Sequence, residues 1–192
     1  MTLKKAIANA PTAKVGRRGF LKAGVALLGA SLPAYSLANI SPVATPERKL
    51  SFYNTHTGES VSTTFWADGS YQPEGLAEIY HVLRDFRTND VKPINSRLLD
   101  LLHSLTTKLE TDAQLHVISG YRSPRTNAML ASKSNGVAKH SLHMEGLAID
   151  IRIPGRELAH VRKAAIALHG GGVGYYPSSN FVHVDVGRVR TW

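Results

Sequence analysis

The sequence predicts an α+β fold, a mostly antiparallel central sheet with helices packed on it, and three patterns predict it. Leu147, Ile149, Ile151 and Ile153 alternate with Ala148, Asp150 and Arg152, the signature of a strand with one apolar face. Val182, Val184 and Val186 alternate in the same way with Phe181, His183 and Asp185. Ahead of both, two leucine-rich stretches repeat at the three- and four-residue spacing of amphipathic helices. Helices gathered early and strands gathered late suggest α+β architecture.

In chain order, residues 50–54 and 60–66 read as short strands. Thr55-His-Thr-Gly-Glu59 joins them as a hairpin, and Asp68-Gly69 closes the second. Residues 73–86 form the first helix, with Leu76, Ile79, Tyr80, Leu83 and Phe86 on one face and Asn89-Asp90 as the break. Residues 95–109 form the second, with Asn95 or Ser96 as cap and a leucine stripe from Leu98 to Leu109. Residues 114–119 alternate toward a strand. Ser123-Pro124 opens a third helix to about Ala131, with proline in the first turn, where it is tolerated. A small, polar loop follows from Lys133 to His140, and then the strand at 147–153. Residues 156–169 make a fourth helix ended by Gly170-Gly-Gly172, and residues 173–176 and 181–186 the last two strands. There are no internal repeats.

The first 38 residues stand outside this fold. Lys4, Lys5, Lys14, Arg17, Arg18 and Lys22 make a basic start without an acid, and Ala23 to Leu32 is an apolar run too short for a stable bilayer span. Ser36-Leu37-Ala38 offers small residues where a signal peptidase reads. Gly16-Arg-Arg-Gly-Phe-Leu-Lys22 resembles the twin-arginine export signal, with the twin-arginine translocase as partner during export and the periplasm as destination. An ordinary Sec signal or an uncleaved anchor is the alternative. Residues 39–48, polar with Pro42 and Pro46, read as a tether, and residues 49–192 as the domain. No stable membrane span is expected after processing.

The chain holds 23 basic and 14 acidic residues, a net charge of +9. The signal carries six of the basic ones, which leaves 17 against 14 and a net charge of +3 for the rest. The basicity belongs to targeting, so it does not argue for nucleic acid, which calls for a basic face or stripe. A mildly basic mature surface suits an anionic polymer such as a cell wall. With no cysteine there is neither disulfide nor lipid anchor, and any metal must be held by His, Asp or Glu.

The chemistry concentrates in residues 141–150 and 181–185. Asp150 and His183 fall on the polar faces of their strands, and His143 hangs from the loop entering the first, where Gly146 permits a tight turn. If the strands are neighbours, two imidazoles and a carboxylate can meet with a fourth position open, which is what a catalytic zinc requires. A salt bridge from Asp150 to Arg122 or Arg152 explains the same carboxylate without a metal.

Ser141-x-His143-x-x-Gly146-x-Ala148-x-Asp150 resembles the zinc motif of the D-Ala-D-Ala peptidase superfamily, which includes lysostaphin-type peptidases and the Hedgehog signalling domain. Residues 118–123, 171–177 and 180–185 are similar to the murein endopeptidase K branch, over about Leu50 to Trp192. The resemblance implies a Hedgehog/D-Ala-D-Ala-peptidase-like fold and one Zn²⁺ per chain on His143, Asp150 and His183. It implies peptidoglycan cross-links as substrate, with the diaminopimelate–diaminopimelate bond first and the D-Ala–diaminopimelate bond second. A D-Ala-D-Ala carboxypeptidase and a non-catalytic wall-binding module are the rivals.

One departure matters. Several superfamily members place a Glu three residues, or a His two residues, before the last zinc histidine. Here those positions are Asn180 and Phe181. The general base is then sought at Asp185, about 7 Å along the same strand face from His183, or less readily at His140. The other reading of Asp185 is a partner that orients a ligand histidine. Arg122 is expected to bind a substrate carboxylate or the oxyanion, or else to pair with Asp150 or Asp185. Ser141, Tyr121 and Tyr175 are candidates for contact with substrate, as is Tyr176.

Overall fold

Residues 46–134 and 136–192 are described by a computed structural model. The hairpin forms as its sequence requires. β1 (Arg48–Asn54) pairs antiparallel with β2 (Ser60–Ala67), and β2 with the two-residue β3 (Ser70–Tyr71). The Asn54 side chain fixes the turn, its amide oxygen accepting from the backbone of His56 and Thr57 and its amide nitrogen donating to the Val82 carbonyl. Arg48 lies within β1 and pairs with Asp100 at 2.7 Å, so the segment read as tether gives way to sheet by that residue.

β4 (Leu115–Ser119), β5 (Ala148–Arg152), β6 (Gly172–Tyr176), β7 (Phe181–Asp185) and β8 (Arg190–Thr191) complete one sheet in the order β3-β2-β1-β4-β5-β7-β6-β8. The expected α+β class holds. Pairing is antiparallel except between β1 and β4 and between β6 and β8. The parallel β1–β4 pair is possible because α1 (Pro73–Val82) and α2 (Ser96–Lys108) lie between them in sequence as a crossover. Helices and strands therefore interleave, where the sequence suggested helices first and strands later.

α1 and α2 pack on β1 and β2, and α4 (Leu158–Ala167) packs on β6 and β7. Between them and the sheet lies the core. It includes Phe52, Leu115, Val117, Ile149, Ile151, Val182 and Val184, each 0–1 % exposed. Burial of each such side chain stabilises by about 1.5–3 kcal/mol. The leucine stripe of α2 contributes Leu98, Leu99, Leu102 and Leu105, with Asn95 as the cap accepting from Arg97. No helix among the described residues is long and apolar enough to cross a membrane.

α1 stops at Val82, short of the Phe86 that the spacing suggested, because downstream groups take over its backbone partners. The Leu83 carbonyl accepts from Tyr121, and Asp85 turns back to accept from Arg87 and from Ser123, the cap of α3 (Pro124–Lys133). Burial opposes ionisation of Asp85, but hydrogen bonds from Thr126 and Ser123 outweigh it and hold the carboxyl at about 2. Asp85 thereby anchors the start of α3, next to Arg122.

Candidate active site

Register across β5 and β7 decides the site. Asp150 stands opposite His183, Ala148 opposite Asp185, and Ile149 and Ile151 opposite Val184 and Val182. The aliphatic rows face the helices, and the polar rows share the other face, as the alternation implied. Ser119 of β4 comes opposite Asp150 through a bulge after Val117.

His143 reaches the same place from a 3₁₀ turn, Leu142–Glu145. Ser141 caps that turn, its hydroxyl accepting from His143 at 3.4 Å. Gly146 ends it with φ +69, a left-handed conformation that glycine adopts without strain. A Cβ at Gly146 would also strike the Pro93 carbonyl. His143 is 3 % exposed and donates from Nδ1 to the Gly120 carbonyl at 2.8 Å, which leaves Nε2 as the acceptor nitrogen.

His183 is oriented the other way round. Its Nε2 donates to Asp185 Oδ2 at 3.0 Å, which leaves Nδ1 to face Asp150 Oδ1 at 2.8 Å. His143 Nε2 lies 3.2 Å from His183 Nδ1 and 3.3 Å from Asp150 Oδ1. Three acceptor atoms thus converge in a buried spot with no donor of their own between them. Such a triangle requires a positive charge at its centre, a proton or a cation. Tetrahedral zinc at about 2.0–2.1 Å from N and O donors would space them about 3.3 Å apart. The donor set and its spacing fit that ion, and His143, Asp150 and His183 are a candidate metal cluster among the described residues.

Local charge agrees. Burial works against an ionised Asp150, yet the flanking imidazoles of His143 and His183 more than offset it and hold the carboxyl well below the ordinary range. Burial likewise opposes charge on His183, but Asp150 and Asp185 raise it to about 8.

Arg122 sits beside the triangle. Its guanidinium donates to Ser119 Oγ at 3.2 Å and to Asn127 Oδ1 at 3.3 Å, and lies 3.8 Å from Asp150 Oδ2. Asn127 also donates to the Ala138 and Lys139 carbonyls, which ties the loop over the pocket to α3. The pocket, about 450 Å³, is walled by Arg122, Ser141, His140, Tyr176, Arg190 and Trp192, with the three acceptors on its floor.

Three expected residues take other places. Asp185 is fully buried and off the pocket wall. Oδ1 accepts from the backbone of Gly172 and Gly187 and from Arg190, and Oδ2 from His183 and Arg190. Burial alone would raise its pKa, but the bonds from His183 and Arg190 keep it far below the carboxylate range. A carboxylate with five donors and no access to the pocket is poorly suited to take a proton from water. Tyr175 pairs with Val182, so it joins the core face, and it is Tyr176 that meets the pocket. Tyr121 packs against the core near Lys92, while its neighbour Arg122 takes the pocket side.

Asn180 and Phe181 supply neither acid nor base. Asn180 closes the short 3₁₀ turn Pro177–Ser179 with φ +52, and Phe181 stacks on Tyr176 at 4.6 Å. Sequence reasoning missed Arg190 and Trp192. The Trp192 indole lies 5.3 Å from the His183 ring and donates from Nε1 to the Tyr176 hydroxyl. Neither the two-residue β8 nor the residue after it carries a periodicity that would have marked them.

Two imidazoles and a carboxylate on the floor of an open pocket, on an α+β sheet with an arginine alongside, have the layout of a single-metal peptidase. The family described as Peptidoglycan L,D-endopeptidase MepK matches residues 42–192, and the chain belongs to it. It is thus an enzyme of a metallopeptidase family, in line with the resemblance carried by residues 141–150 and 180–185. The chain is 46 % identical over 170 residues to the Peptidoglycan L,D-endopeptidase MepK of Escherichia coli strain K12, covering 88 % of this chain and 92 % of that protein. It is 43 % identical over 178 residues to the Probable peptidoglycan L,D-endopeptidase MepK of Haemophilus influenzae, covering 92 % and 95 %.

Proposed function

We propose that this chain is a zinc-dependent peptidoglycan hydrolase that cleaves peptide cross-links, preferring the diaminopimelate–diaminopimelate bond over the D-Ala–diaminopimelate bond. The observation that carries the reading is the convergence of His143 Nε2, Asp150 Oδ1 and His183 Nδ1, 2.8 to 3.3 Å from one another, among the residues that line the pocket. The relatives named as peptidoglycan L,D-endopeptidases supply the substrate class.

His143, Asp150 and His183 would hold the metal. When bound, zinc supplies Lewis acidity, polarising the scissile carbonyl and bringing the pKa of a water toward neutrality. The Gly120 carbonyl and Asp185 hold the two rings so that the acceptor nitrogens face inward. Arg122 donates to the negative charge that develops on the carbonyl oxygen, in a pocket where such a donor acts at low dielectric. Proton transfer falls to a group other than Asp185, and His140 is the remaining imidazole on the pocket wall. Ser141 and Tyr176 face the substrate peptide.

The test is incubation of the protein without its first 38 residues with purified sacculi, with and without a chelator. Cross-linked dimers should fall to monomers, the chelator should stop this, and added zinc should restore it. Release of free D-Ala from pentapeptide monomers would make the enzyme a carboxypeptidase. Dimers that persist at every metal concentration, while the protein pellets with the wall, would make it a binding module.

Export by the twin-arginine translocase to the periplasm is proposed on Arg17, Arg18 and the Phe-Leu-Lys that follows, which lie outside the described residues. Changing both arginines to lysine should leave precursor in the cytoplasm. Normal processing of that double variant is the result that would end this reading.

A further inference from the structure

We propose that Arg190 is a positioning residue of the site, gripping both oxygens of Asp185 so that this carboxylate presents His183 Nδ1 to the metal. The inference rests on the reading of His143, Asp150 and His183 as the ligands.

Arg190 Nη2 donates to Asp185 Oδ2 at 2.8 Å and Nη1 to Oδ1 at 3.2 Å. A fork on both oxygens sets the plane of a carboxylate, which a single donor cannot do. Oδ2 is the oxygen that receives His183 Nε2, so the plane that Arg190 sets is the plane that aims the imidazole. Asp185 has no exposed surface, and Arg190 is its one arginine or lysine partner among the described residues. Its other donors besides His183 are backbone amides, which fix position without supplying charge.

Arg190 is itself held on several sides. Nη1 also donates to the Arg188 carbonyl at 2.9 Å, and the guanidinium lies 4.7 Å from the centre of the Trp192 ring. β8 runs parallel to β6 with Arg190 beside Gly172. At Gly172 a Cβ would strike both Arg190 Nη1 and Asp185 Oδ2, so glycine is what lets arginine and carboxylate close there. The Trp192 indole lies beside His183, so residues 190 and 192 brace that ring through the carboxylate and directly.

The experiment uses the protein without its first 38 residues, as wild type, Arg190→Gln and Arg190→Lys. Zinc affinity is read by competition with a chromophoric chelator, and kcat and KM on a soluble dimeric muropeptide. Folding is checked by circular dichroism. The wild type should bind one zinc. Arg190→Gln should bind it at least about tenfold more weakly, as for other partners that orient ligand histidines, with kcat lowered and KM unchanged. Arg190→Lys, which keeps the charge but not the fork, should recover only part of the affinity. If Gln prevents folding, the Lys variant carries the test. Wild-type affinity and kcat in the folded variants would reduce Arg190 to a pin for the last strand and overturn the proposal. A wild type that binds no zinc would overturn the ligand reading itself, and is seen before any variant is compared.

Discussion

His183→Ala should abolish cross-link cleavage and zinc binding together. The imidazole supplies one of three proposed donors, and a two-donor remnant of His143 and Asp150 is not a closed set for tetrahedral zinc. The change also strips a donor from Asp185, which is fully buried. An orphaned buried acceptor costs about 1–3 kcal/mol, so the variant should melt earlier as well. His183→Gln, which keeps a polar group in the space, separates the two effects. It should recover stability without recovering zinc. Metal content by mass spectrometry and dimer cleavage by chromatography are the readouts. A folded His183→Ala protein with a full equivalent of zinc in the pocket would remove His183 from the ligand set.

Arg122→Gln should lower kcat by about 10²–10³-fold, the usual cost of losing one donor to a developing oxyanion, while zinc content stays at one. The guanidinium lies 3.8 Å from Asp150 Oδ2, a long pair that leaves donor capacity for substrate. Its bonds to Ser119 and Asn127 hold it at the pocket edge, so stability is measured alongside. A rise in KM with kcat intact would assign Arg122 to binding a substrate carboxylate instead. His140→Gln, assayed in parallel, should also keep its zinc and lose turnover if that imidazole moves the proton. Unchanged turnover would exclude it.

The polar and apolar faces of β5 and β7 were legible in the sequence because a two-residue period is a local property of the chain. His143, Asp150 and His183 could be set on one side of the sheet from that period and the Gly146 turn. What the period cannot carry is pairing. Whether Tyr175 or Tyr176 faces the pocket depends on Tyr175 standing opposite Val182, and Val173-Gly-Tyr-Tyr176 has no alternation to decide it. The role of Asp185 depended on Arg190, which arrives through a parallel contact of β8 with β6. Phe86 kept the helical spacing but left the helix, because Asp85 and the Leu83 carbonyl found partners at Ser123 and Tyr121, more than thirty residues on.

The donors also stand far apart along the chain: 33 residues separate Asp150 from His183, and 40 separate His143 from His183. They meet only when β5 and β7 have paired, a non-local step that folds slowly compared with a hairpin. An unfolded chain offers no preformed trio, so an ion that needs all three donors binds the finished sheet alone. Occupancy then acts on the folding equilibrium by mass action. Above the dissociation constant, each tenfold rise in free metal adds about 1.4 kcal/mol to the folded state. The same three side chains that would run the reaction would also act as a reversible clasp on the domain.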